Sequence, residues 1–214
     1  MSNSAATVDR LRRSGAALSQ YFRRLLSPPM PGEGLLLVGF LESAVGWGLS
    51  WLFARHPALA PLGPIRSIVA TWAVLTAGII LLAVAYAAPT VGRTRVWLVW
   101  AGLVVAATGI NLAALAELLP PGVALYGYWH PWFAVIGVGY LVTGLYDWGN
   151  PQLRRQKRLV YAASGVATLG LLAAGIGPLS RVVLANLFVL GGAVQLVPIG
   201  FDVLADTVRI ARRQ

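Results

Sequence analysis

The chain has 214 residues, 57% of them hydrophobic and only 11% charged, with a formal net charge of +10 and no cysteine. A soluble domain carries about 25% charged residues, so a solvated surface made from this composition would expose large apolar patches. Disulfide and thiolate chemistry are excluded, and the mean hydropathy of +0.72 points to a chain immersed in lipid.

Residues 1–31 read as a cytoplasmic basic amphipathic segment followed by a turn. Val8, Leu11, Gly15, Leu18, Phe22 and Leu25 recur at steps of three and four, among Arg10, Arg12, Arg13, Arg23 and Arg24. Such a stripe suits a helix lying in the interface of the bilayer, with its arginines among anionic lipid headgroups. No continuous apolar core precedes Pro28, so a cleavable signal peptide is not expected. The prolines of "SPPMPG" then turn the chain toward the first span.

Six apolar stretches follow, at 34–54, 65–87, 96–119, 129–148, 159–177 and 182–206. Each is long enough to cross a hydrocarbon core of about 30 Å at about 1.5 Å per helical residue. The breaks carry turn chemistry, as in "RHPALAPLGP", "APTVGR", "LPPG", "GNPQ" and "GPLS". The runs do not alternate, and each is about twice the length of a barrel strand, so helices are expected. The reading is an all-α, polytopic integral membrane six-helix bundle over 32–208, with an N-terminal amphipathic interfacial helix and a basic tail at 209–214.

The basic residues set the orientation. With the N terminus inside, 14 of them fall on the cytoplasmic side, against Arg55, Arg66 and Arg181 outside. That asymmetry places both termini in the cytoplasm. Arg154, Arg155, Lys157 and Arg158 belong to this count as one cytoplasmic connection. Because the basic groups are spread along membrane edges, they argue against nucleic-acid binding.

Polar residues inside apolar spans are functional candidates, since each must face protein, water or a partner. Glu42 and Asp202 fall at similar depth from the cytoplasmic side, and Asn111, Asn186 and Gln195 mark a central to outward band. A proton or cation route through Glu42 and Asp202 is one reading. The plainer one pairs Asp202, Asp206 and Arg209 along a single helical face. On the outer side, His56, Glu117 and His130 have the ligand count of a catalytic zinc site but come from separate segments without metal-binding spacing, so no metal is assigned. His130 lies between Trp129 and Pro131 and is expected to hydrogen-bond at the interface. Tyr126, Tyr128, Trp129 and Trp132 would form an outer aromatic belt, with Tyr146 and Trp148 as the inner one.

Gly39, Ser43, Gly46 and Ser50, and separately Ala163 and Ala167, form small-residue rows that permit close helix contact, within the bundle or between subunits. The sequence carries no nucleotide-binding loop, nucleophile elbow or zinc-protease pair. The preferred expectation is therefore a non-catalytic accessory or scaffold subunit of a membrane assembly. Its partners would be the lipid bilayer and other membrane subunits, and a bound lipid or hydrophobic cofactor is compatible with its faces. A small-solute or ion transporter using Glu42 and Asp202 ranks second, and an intramembrane enzyme third. A dry interior would favour the scaffold; a continuous cavity reaching both acids would favour transport.

Overall fold

The computed structural model describes residues 15–16, 19–92, 94–146, 153–177 and 179–212, with side chains as far as 205. Among the described residues there are six long helices: α1 Gly32–Arg55, α2 Pro64–Tyr86, α3 Arg95–Leu115, α4 Trp129–Leu145, α5 Arg155–Ile176 and α6 Leu187–Arg212. Short helical turns fill the links, and no strand occurs among the described residues. The chain is an all-α membrane helical bundle. Five of the helices, all but α4, are long and apolar enough to cross a membrane.

The helices form a closed ring in which each packs against its sequence neighbours and α6 returns to α1. Helix α4 has 17 residues, ten of them buried. At about 25 Å it is short for a hydrocarbon core of about 30 Å. It leans inward: Phe133 meets Trp47 of α1 and Trp132 meets Trp72 of α2, at centroid separations of 6.1 and 4.7 Å. The other helices turn residues such as Val74, Leu81, Val84 and Val166 outward, more than 60% exposed in each case, as a lipid-facing surface requires.

Helix ends depart from the apolar runs for local reasons. Helix α3 stops at Leu115 because Glu117 adopts a left-handed conformation with φ 58°. The sixth run is split: Ser180–Ala185 forms a separate turn, and Asn186 donates back to the Val182 carbonyl at 3.0 Å before α6 begins. Helix α5 starts at Arg155, so the basic cluster read as a connection forms its N-cap, Arg154, and its first turn. Arg158 donates to the carbonyls of Gly144 and Leu145 at 3.1 and 3.0 Å, satisfying the open C-terminal end of α4.

Three interfaces share one device. The Trp72 ring of α2 sits on Gly46 of α1 and its indole N–H donates to Ser50 at 3.0 Å, one turn on. Trp100 of α3 sits on Gly139 of α4 and donates to Thr143 at 3.0 Å. Trp47 of α1 sits on Gly191 of α6 and donates to Gln195. In each case glycine at position i admits the flat ring and a polar side chain at i+4 satisfies the N–H, which lipid could not do. Pairing of α4 with α5 is closer still. A methyl at Gly165 would stand 2.7 Å from the Leu141 backbone nitrogen and 2.8 Å from the Gly137 carbonyl oxygen.

Of the amphipathic N-terminal stripe, Val8, Leu11 and Leu18 lie outside the described residues. Residues 19–25 are helical, and Leu25 is buried against the start of α1 at Gly34. The turn that follows is tied down by two backbone hydrogen bonds, Met30 N–H to Tyr86 O at 2.6 Å and Ala88 N–H to Met30 O at 2.8 Å.

Candidate functional site

The ring is filled at one end and hollow at the other. Across its middle lies a layer of Trp47, Trp72, Trp132 and Phe133 in mutual edge and tilted contact. From this layer a cavity of about 1020 Å³ extends toward the end bearing Gly32, Tyr86, Arg95 and Arg155, lined by all six helices. Its rim includes Pro29, Pro31, Thr90 and Arg95; among the described residues, nothing from the links at the opposite end lines it.

Helix α1 supplies one wall through Leu35, Leu36, Gly39, Glu42 and Ser43, which recur at helical spacing on a single face. Glu42 stands ten residues beyond Gly32, about 15 Å along the helix. It makes no hydrogen bond or ion pair among the described residues. A methyl at Gly39, one turn before Glu42, would meet nothing within 4 Å, so this glycine borders open space.

Opposite, α5 and α6 hold a buried ion pair. Lys157 Nζ contacts Asp202 Oδ1, with the two side chains only 5% and 9% exposed. Tyr161 donates to the other carboxylate oxygen, Oδ2, at 2.9 Å. Lys157, Tyr161, Gly165 and Thr168 are the successive buried positions of α5, so the lysine belongs to an inward-facing row. Deeper in, Gln195 Nε2 donates to Ser43 Oγ at 3.0 Å, and Tyr140 Oη donates to the Gln195 carbonyl at 2.7 Å.

Glu42, Gln195 and Asp202, singled out from the sequence, therefore line one cavity, although no hydrogen bond joins Glu42 to Asp202. Asp202 turns to α5; the side chains of Asp206 and Arg209, its expected partners, lie outside the described residues. Asn111 is elsewhere and structural. It accepts from the Trp132 indole at 2.7 Å and donates to the Gly127 and Tyr128 carbonyls, both at 2.7 Å, tying the α3–α4 link to the bundle. Trp132 is thus a core residue rather than part of an aromatic belt. Trp148 lies outside the described residues, whereas Tyr126 and Tyr146 are exposed. Asn186 is exposed and bonded within its own turn.

His56, Glu117 and His130 are not brought together; among the described residues no group of three His, Cys, Asp or Glu could hold a metal ion. The interfacial hydrogen bond expected of His130 is not made at Nδ1, which is buried without a partner while the ring stacks on Trp129 at 3.8 Å. Of the small-residue rows, Ser43, Gly46 and Ser50 are buried within the bundle, while Gly39 borders the cavity. Ala163 and Ala167 are exposed, and Gly165 between them makes the close contact with α4.

Sequence reasoning missed Lys157 and Tyr161. The available signal was their four-residue spacing, continued by Gly165, which puts the lysine on the packed face of a span. No family model, no curated protein and no solved structure matches the chain.

Proposed function

We propose that this chain is a membrane carrier for a small amphipathic solute, loaded from the end that bears the basic residues. One observation supports this above the others: a cavity of about 1020 Å³, lined by all six helices, that places Glu42, Gln195 and the Lys157–Asp202 pair around one space. Ligand sites are commonly apolar concavities of roughly 300–1,000 Å³ with a few convergent polar groups. Polar groups held at membrane depth are expensive unless they serve a partner or a pathway. The charge asymmetry read from the sequence puts the mouth on the cytoplasmic side, with the Trp layer beyond it as the closed side of an inward-facing form.

The test uses Gly39→Trp, which fills the cavity from a position with open space beside it. A panel of amphiphiles with cationic, neutral and anionic heads is screened for thermal stabilisation of wild type and variant. A carrier binds at least one compound that the variant does not, and wild type alone moves that compound into proteoliposomes. If no compound separates the two proteins, the reading fails.

A second reading, the accessory subunit, is supported by a lipid-facing groove of about 290 Å³ between α1 and α6. There Ala44, Gly48, Gly192 and Ala193 leave room between Trp51 and Phe188. It calls for intact-complex mass determination in mild detergent, where a stoichiometric heteromer would favour it and a pure monomer or homo-oligomer would count against it.

A further inference from the structure

Building on the carrier reading, we propose that the cavity takes an organic monocation with a bulky apolar or aromatic body, with Glu42 as its counter-ion. The inference follows from which polar groups of the lining are already engaged. Asp202 is occupied by Lys157 and Tyr161, so the lysine charge and one carboxylate charge compensate each other. Glu42 is the carboxylate in the depth of the cavity that no described residue answers. The indole donors of the deeper lining are engaged within the protein: Trp72 bonds to Ser50, Trp100 to Thr143 and Trp132 to Asn111. The hydroxyls of Tyr140 and Tyr161 likewise donate to protein acceptors. The one formal charge that the deep walls leave uncompensated is therefore negative, and it stands in a space lined by aromatic surface.

Both favour the same chemistry. An ionised carboxylate about 15 Å along a span is unfavourable without a counter-charge. The π faces of tryptophan and tyrosine attract a cation and repel an anion. The mouth carries both signs, Glu33 and Arg95; Arg95 is the first residue of α3 and is exposed to solvent. It can attract an anion to the mouth but does not reverse the sign at depth. The volume of about 1020 Å³ accommodates a guest much larger than a bare metal ion, and the apolar walls from Leu35, Leu36, Ile79 and Val104 require a guest whose body is itself apolar.

Two probes of nearly identical shape and opposite charge decide the matter: tetraphenylphosphonium and tetraphenylborate. Each is titrated by equilibrium dialysis against the full-length protein in neutral detergent, as wild type, Glu42→Gln, Glu42→Asp and Gly39→Trp. The expected result is saturable binding of the phosphonium to wild type, weakened about tenfold or more in Glu42→Gln, the loss expected for one charge-assisted contact. Glu42→Asp should retain most of the affinity, Gly39→Trp should bind neither ion, and the borate should not compete. Equal, Glu42-independent binding of both ions would overturn the cation assignment while leaving the carrier reading intact. So would binding of only neutral or anionic amphiphiles in the wider panel. If no probe or panel compound distinguishes wild type from Gly39→Trp, the carrier reading fails and the inference falls with it. Should Glu42→Gln not yield a monodisperse protein, the comparison of the two ions on wild type and Glu42→Asp still decides.

Discussion

Replacing Lys157 by Met should destabilise the bundle far more than any comparable change at its lipid surface. The side chain is 5% exposed and its partner Asp202 is 9% exposed, so the substitution strands a carboxylate that retains, among the described residues, the Tyr161 hydroxyl alone. Removing one partner of a buried pair typically costs about 3–5 kcal/mol, because the remaining charge keeps its desolvation penalty. For a chain of this size, at about 2–4 °C per kcal/mol, the apparent melting temperature should fall by roughly 6–20 °C. The double variant Lys157→Met/Asp202→Leu removes both charges and should recover most of that loss, since well-packed apolar replacements for a buried pair are often neutral or stabilising. The assay is loss of the monodisperse gel-filtration peak after heating in mild detergent, for wild type, both single variants and the double variant. A Lys157→Met protein as stable as wild type would refute the buried-pair geometry. A double variant no better than the worse single would refute the assignment of the loss to a stranded charge.

Other expectations concern packing. Gly165→Ala should lower stability by about 3 kcal/mol or more, because its methyl would stand 2.7–2.8 Å from backbone atoms of α4 that cannot turn aside. Ala167→Leu, two residues along but exposed, should change it by less than about 0.5 kcal/mol; similar losses at both sites in an SDS titration would mean that α5 is rotated from the described phase. Ser50→Ala leaves the Trp72 indole N–H without its acceptor and should cost about 1–3 kcal/mol. Combining it with Trp72→Phe should cost much less than the sum of the two, and strict additivity in the same titration would deny their coupling.

Much of this architecture is legible in the sequence, because apolar runs of spanning length bounded by proline and glycine fix where helices lie. The ends are less so: Glu117 with its positive φ and Asn186 with its backward hydrogen bond each stop a helix inside an apolar run. Glu42, Gln195 and Asp202 stand out as polar residues in apolar surroundings, and that suffices to nominate them for the site. Lys157 does not stand out, since a basic residue beside Arg154, Arg155 and Arg158 reads as a topology signal. Only the rotation of α5 turns it inward while Arg158 caps α4. The Gly46–Ser50, Gly139–Thr143 and Gly191–Gln195 spacings are visible in the chain, but the tryptophan that each receives comes from another helix. Pairing across helices is a property of the ring, which periodicity within one segment does not encode.

The central claim, a solvent-reachable cavity inside the bundle, is tested most directly by cysteine accessibility, for which a chain with no cysteine is a ready background. Gly39→Cys places a thiol in open space within the cavity, one helical turn from Glu42. It is reacted in sealed vesicles of each orientation with a small, charged, membrane-impermeant maleimide. The account predicts labelling from the side that carries the basic residues, none from the other, and protection when Gln195 is replaced by a bulky tryptophan that narrows the same space. A thiol that stays unreactive from both sides until the protein is denatured would mean that the interior is packed, and the carrier reading would be abandoned.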